Sequence, residues 1–76
     1  MEFSKAEKFC LQAIDSAQQN KDPWGEAPAY IALGETLRDD GKRERAREAI
    51  EKALAIWKQV NIEHEIEHTQ HILDQI

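Results

Sequence analysis

The apolar residues of this chain follow a pattern that recurs at a fixed offset. Five apolar positions near the start have apolar counterparts 40 residues later: Ala6 with Ala46, Phe9 with Ala49, Cys10 with Ile50, Ala13 with Ala53, and Ile14 with Leu54. Within each stretch these residues recur at three- and four-residue steps, which places them on one face of an α-helix. A fixed period of this size is typical of proteins built from stacked repeats.

Composition indicates that the stretches are helices rather than strands. Ala and Glu occur ten times each, whereas Val occurs once and Thr twice. Ala and Glu favour helices, and β-branched residues favour strands. Short polar breaks separate four segments: 3–20, a second that ends at 40, 42–60 and 62–75. Four helices with short connections predict an all-α fold of antiparallel helix-turn-helix repeats, a fragment of an α-solenoid.

The start of the second helix has two interpretations. In one, Asp22 caps a helix that has Pro23 at its first position. Pro28 then lies about one turn inside the helix, where proline removes a backbone hydrogen bond. In the other, the helix begins near Ala27, and Pro28 belongs to its first turn.

Two residues mark the later helix boundaries. Gly41 follows Asp39-Asp40 and is suited to the left-handed conformation just past a helix end. Asn61 precedes the fourth segment and is a favourable N-cap residue, so we expect it to cap that helix.

The second and third segments carry a motif. Its positions are Tyr30-x2-Leu33-Gly34-x2-Leu37 and then Ala46-x3-Ile50-x2-Ala53. Gly34 has no side chain, and Ala46 and Ala53 have small ones, so their helices can approach closely. This pattern resembles the tetratricopeptide repeat. The resemblance implies a single domain over 1–76, the C-terminal end of a longer array: the second helix of a preceding repeat at 3–20, a full repeat at 27–60 and a capping helix at 61–76.

The resemblance also implies a binding surface. In tetratricopeptide repeats the first helix of each unit lines a concave groove that holds a peptide or a partner helix. The residues that match groove positions here are Pro28, Ile31, Glu35, Arg38 and Asp39. At the 40-residue offset, His68 and His71 correspond to Pro28 and Ile31. We therefore expect a non-catalytic protein–protein interaction or scaffolding module that uses this concave face.

The fourth segment contains a pattern associated with zinc chemistry. His64-Glu65-Ile66-Glu67-His68 matches H-E-x-x-H, in which two histidines on one helix face bind zinc and the glutamate activates water. His71 extends the stripe, but a catalytic zinc also needs a third ligand and a shielded cleft. We predict no enzyme, no cofactor and no metal site. The alternatives are weak metal binding, a metalloprotease, and a regulatory segment in which His64, His68 and His71 respond to metal or pH.

The charge distribution limits the classes of partner. Ten Lys and Arg against fifteen Asp and Glu give a net charge of −5, and residues 61–76 hold four acids with no Lys or Arg. Phosphate binding needs a basic surface, so we expect a protein or peptide partner and no nucleic acid. No apolar run reaches the roughly 18–20 residues of a membrane span, and the N-terminus lacks a signal-peptide layout. We expect a cytoplasmic protein without membrane contact.

Apolar residues of the first segment lie where a preceding helix would pack on them. Phe3, Phe9 and Ile14 would pack on a preceding helix, so we expect them to be exposed. Exposed apolar helix faces tend to find partners, and we therefore expect this chain to form a homo-oligomer through them.

Three further side chains are assigned to packing. Cys10 is predicted to be a small buried apolar residue, since no histidine or basic cluster adjoins it to activate the thiol. Trp24 and Trp57 lie near helix ends, where large aromatic side chains most often contribute packing area.

Overall fold

The computed structural model describes residues 2–76, which form a row of α-helices. These are α1 (Phe3–Gln19), α2 (Pro23–Asp39), α3 (Arg43–Gln59) and α4 (Glu63–Asp74). Each helix packs mainly on the next one along the chain. The described residues contain no strand, so the predicted all-α fold of antiparallel helices is confirmed. Within 2–76, no helix has both the length and the apolar character that crossing a membrane requires.

The connections between the helices share one hydrogen-bonded geometry. Each has a left-handed residue just past the C-cap, with φ of 51°, 80° and 57° at Lys21, Gly41 and Asn61. The next residue donates its backbone N–H to a carbonyl five residues back, over 2.9, 2.8 and 3.1 Å: Asp22 to Ala17, Lys42 to Leu37, and Ile62 to Trp57. This is the Schellman C-cap. Because the donating residue is also the N-cap of the following helix, the chain reverses within three residues.

The same geometry explains the offset of the apolar pattern. The first three helices have 17 residues each, and their connections are 20–22, 40–42 and 60–62. Two helices with two connections therefore occupy 40 residues. This offset exceeds the roughly 34 residues of a typical tetratricopeptide repeat.

Two helix boundaries answer the questions that the sequence raised. α2 begins at Pro23 with Pro28 inside it, as in the first of the two interpretations, and Asp22 occupies the N-cap position, but its side chain makes no capping hydrogen bond. The prediction that Asn61 caps α4 is wrong. Asn61 adopts the left-handed position that ends α3, and Ile62 is the N-cap of α4. Asparagine tolerates positive φ better than most residues, which suits it to this C-terminal role.

A close contact between α2 and α3 is centred on Gly34, as the motif predicts. A Cβ atom built on Gly34 would lie 2.7 Å from Cγ1 of Ile50 and 3.1 Å from the carbonyl oxygen of Ala46. Both neighbours are fully buried in α3. The absent side chain therefore lets the backbone of α2 approach α3, and Ile50 fills the space that a side chain would need.

The core lies between α2 and α3 and extends to both outer helices. Its larger cluster of buried residues is Ile14, Leu33, Leu37, Ala46, Ala49, Ile50, Leu54, Leu73 and Ile76. The expectation that Ile14 lacks cover is therefore wrong, because Ile14 belongs to this cluster. Cys10 is half-buried and packs against the cluster from outside, so it is less enclosed than predicted. Phe9 is exposed, as expected.

Candidate functional site

The groove residues expected from the resemblance lie on one face of α2. Pro28, Ile31, Glu35, Arg38 and Asp39 follow one another at helical spacing, so they project from the same side. Pro28, Arg38 and Asp39 are exposed, whereas Ile31 and Glu35 are half-buried. Leu33 and Leu37 of α2 are buried in the core, and Ile31 packs against its edge. The structure therefore brings the five predicted residues together on one face of α2, at the edge of the core.

An exposed tryptophan extends this face. Trp24 lies four residues before Pro28 and seven before Ile31, and its side chain is 58% exposed. Its ring meets the ring of Trp57 edge to face, with centroids 5.6 Å apart. The prediction that both tryptophans serve packing holds for Trp57, which is buried, but Trp24 keeps more than half of its surface open. The four-residue spacing from Trp24 to Pro28 places both on one helix face, but it does not show that Trp24 is exposed. We call Trp24 and the five predicted residues the α2 face.

The histidines occupy the corresponding positions of α4. At the 40-residue offset, His64, His68 and His71 match Trp24, Pro28 and Ile31, and all three are exposed. Nε2 of His71 lies 2.9 Å from Nε2 of Gln75, and Nε2 of His64 lies 4.0 Å from a carboxylate oxygen of Glu65. We call these three residues the His stripe.

The α2 face and the His stripe are on helices that share a contact surface on α3. Ile31 from α2 and Ile66 from α4 both pack against a small cluster of Ala27, Ala53 and Trp57. Trp57 is buried there, and its indole N–H has no hydrogen-bond partner among the described residues. The two helices therefore cover the same part of α3.

The arrangement of potential metal ligands does not form a cluster. Across residues 2–76, no group of three or more His, Cys, Asp or Glu side chains is placed to hold a metal ion. The three histidines follow one another along a single exposed helix face, where water is free to reach them.

The charges of the α2 face leave one acid without a basic partner. Arg38 pairs with its neighbour Asp39 at 3.4 Å. None of the ion pairs within 2–76 involves Glu35. Glu35 is also half-buried beside Ile31, so its carboxylate is the main unpaired charge near the centre of the face. Such a surface is complementary to a basic group next to an apolar one.

A concavity away from the α2 face is lined by residues of α1, α2 and α3. Its volume is about 370 Å³, and Ile14, Leu33 and Ala49 are among its apolar lining residues. Two basic side chains at its edge already have partners within the chain. Arg45 donates a hydrogen bond to Glu7 over 2.9 Å, and the ammonium of Lys52 lies 5.7 Å from the ring centre of Tyr30. Asp15 and Glu48 also line this groove, and none of the ion pairs within 2–76 involves either of them.

The fold and these surfaces define the class of the protein as a short stack of antiparallel helical repeats with an open helix face. No protein-family model, curated protein or solved structure matches the chain.

Proposed function

We propose that this protein is a non-catalytic interaction module, of the kind that the resemblance to tetratricopeptide repeats implies. Its ligand is a peptide or a partner helix that docks on the α2 face. The observation that carries the proposal is the exposed Trp24 on the same helix face as Ile31 and Glu35. Tryptophan is enriched among the residues that dominate binding energy at protein interfaces.

The chemistry of the α2 face indicates an amphipathic, basic ligand. Trp24, Pro28 and Ile31 supply apolar surface along about two turns of helix, and Glu35 supplies an unpaired carboxylate in the following turn. A partner helix that lays apolar residues along this surface and a Lys or Arg near Glu35 would satisfy both features. The four acids of residues 61–76 add to the attraction for a basic segment.

The proposal is tested by selecting ligands from a displayed library of random peptides. We expect the selected peptides to combine apolar residues with Lys or Arg. Trp24→Ala should weaken their binding by about 10-fold or more, the loss typical of an interface hot spot. Glu35→Lys should weaken it through charge repulsion, which a lower salt concentration strengthens.

Two control variants match these changes on other surfaces. Leu11→Ala shortens another exposed apolar side chain, on α1, and Glu51→Lys reverses an exposed charge on α3. Both should bind the selected peptides as the wild type does. Peptides that bind Trp24→Ala and Glu35→Lys with unchanged affinity, while circular dichroism shows all the variants to be folded, would place the interaction elsewhere and refute the proposal.

A further inference from the structure

One stripe of α1 is apolar and uncovered. Ala6, Phe9 and Ala13 are all exposed, and the side chain of Phe9 is 74% exposed. They lie beside the part of α1 that enters the core, which includes Ile14 and Ala17. We call Ala6, Phe9 and Ala13 the α1 stripe.

The internal repeat indicates that the α1 stripe has the pattern of a helix-packing surface. Its counterparts in α3 are Ala46, Ala49 and Ala53, which are 0%, 4% and 0% exposed. They are buried in clusters that they share with residues of α2. The α1 stripe therefore has the register of a helix-packing surface, and no helix within residues 2–76 covers it.

Charge identifies which surface of a second copy can cover the stripe. α1 carries Lys5, Glu7, Lys8 and Asp15, and its net charge is zero. α4 carries Glu63, Glu65, Glu67 and Asp74 with no Lys or Arg. The α4 positions that correspond to the packing residues Ala27, Tyr30 and Gly34 of α2 are Glu67, Gln70 and Asp74. A head-to-tail contact would thus press Phe9 against polar and acidic groups.

We propose that the α1 stripe is a homodimer interface in which α1 of one chain packs antiparallel on α1 of a second. The antiparallel arrangement places Ala6 of each copy opposite Ala13 of the other, with the two Phe9 side chains near the symmetry axis. A parallel arrangement would oppose Glu2 to Glu2 and Lys5 to Lys5. The contact also keeps the acidic α4 helices at the far ends of the dimer, and its twofold symmetry closes the assembly.

Sedimentation velocity over a range of about 1 µM to 1 mM tests the interface, since a single helix face supports only a weak dimer. The wild type should approach the mass of two chains as concentration rises. Phe9→Glu should raise the dissociation constant by about 100-fold, because each dimer buries two copies of Phe9. Leu11→Glu makes the same kind of change on the other side of α1 and should dimerise like the wild type.

Cross-linking tests the orientation. In a Cys10→Ser background, a mixture of Ala6→Cys and Ala13→Cys chains should form disulfide-linked mixed dimers, and Ala6→Cys chains alone should link far less. A wild type that keeps the mass of one chain throughout the range, or a Phe9→Glu variant that dimerises unchanged, would overturn the proposal. Efficient linking of Ala6→Cys chains alone would overturn the antiparallel arrangement. Phe9→Glu should leave peptide binding to the α2 face unchanged, so failure here is distinguishable from failure of the proposed function.

Discussion

Replacement of Gly34 by alanine tests the contact on which the helix stack depends. In an exposed helix position this change is stabilising, because alanine favours the helix over glycine by about 1 kcal/mol. At Gly34 the added methyl group would lie 2.7 Å from Cγ1 of Ile50 and 3.1 Å from the carbonyl oxygen of Ala46. Both neighbours are fully buried, so one of the helices or the Ile50 side chain must shift.

The expected cost follows from these two opposing effects. Overpacking a well-packed core costs about 1–3 kcal/mol, and the gain in helix propensity offsets about 1 kcal/mol of that. We therefore expect Gly34→Ala to lower the free energy of unfolding by about 1 kcal/mol. Ile50→Val removes the Cδ1 atom that the new methyl would meet first, and alone costs about 1 kcal/mol. The double variant should be more stable than the sum of the single effects predicts.

Urea unfolding followed by circular dichroism measures these differences, and Ala32→Gly provides the matched control. Ala32 is exposed and lies two residues away on the same helix, so its replacement isolates the propensity effect. If Gly34→Ala raises the free energy of unfolding by as much as Ala32→Gly lowers it, no close contact exists at Gly34. The reasoning about the α2–α3 interface would then be wrong.

Three further predictions concern the turns, the tryptophans and metal. Lys21→Gly should stabilise the protein by up to about 1 kcal/mol in urea unfolding, because glycine adopts the left-handed conformation without the steric strain of a side chain. Gly41 has φ 80° and open space around it, so Gly41→Ala should destabilise the protein by a similar amount. Trp57→Ala should lower the free energy of unfolding by about 3–5 kcal/mol, because it replaces a buried large side chain with a small one. Trp24→Ala should lower it by about 1 kcal/mol, the contribution of an edge-to-face aromatic pair. Urea or thermal unfolding measures both, and equal losses would contradict the different burial of the two side chains. Zinc should leave the melting temperature of the wild type and of His68→Ala unchanged, because we predict no metal site. A zinc ion that bound the native state would raise the melting temperature.

The sequence predicts the helices well because their signals are local. Apolar spacing and Gly41 depend on the chain within a few residues, and they placed the segments close to the helices observed. The predicted close contact at Gly34 is confirmed. It was predictable because a glycine within one helix and small alanines at regular spacing in the next indicate that the two helices approach closely. Asn61 was assigned to the wrong helix end because the same residue type suits both the N-cap and the left-handed C-terminal position.

The candidate site was predictable only in part. The helical spacing of Pro28, Ile31 and Glu35 is enough to place them on one face. The exposure of Trp24 was not evident, because two tryptophans near helix ends look equivalent until the neighbours of each are known. Trp57 is buried in the cluster that α2 and α4 cover, whereas Trp24 contacts the ring of Trp57 and stays more than half exposed.

The sequence alone determined the four helices, their antiparallel order and the glycine contact, because backbone preferences and side-chain volume act over short distances. Only the tertiary structure decided which side of α1 is covered. The apolar residues of α1 form one broad stripe in the sequence, yet Ile14 and Ala17 are buried while Ala6, Phe9 and Ala13 face solvent. Periodicity shows where the faces of a helix are, but burial depends on where neighbouring helices lie, and α2 and α3 approach α1 from one side.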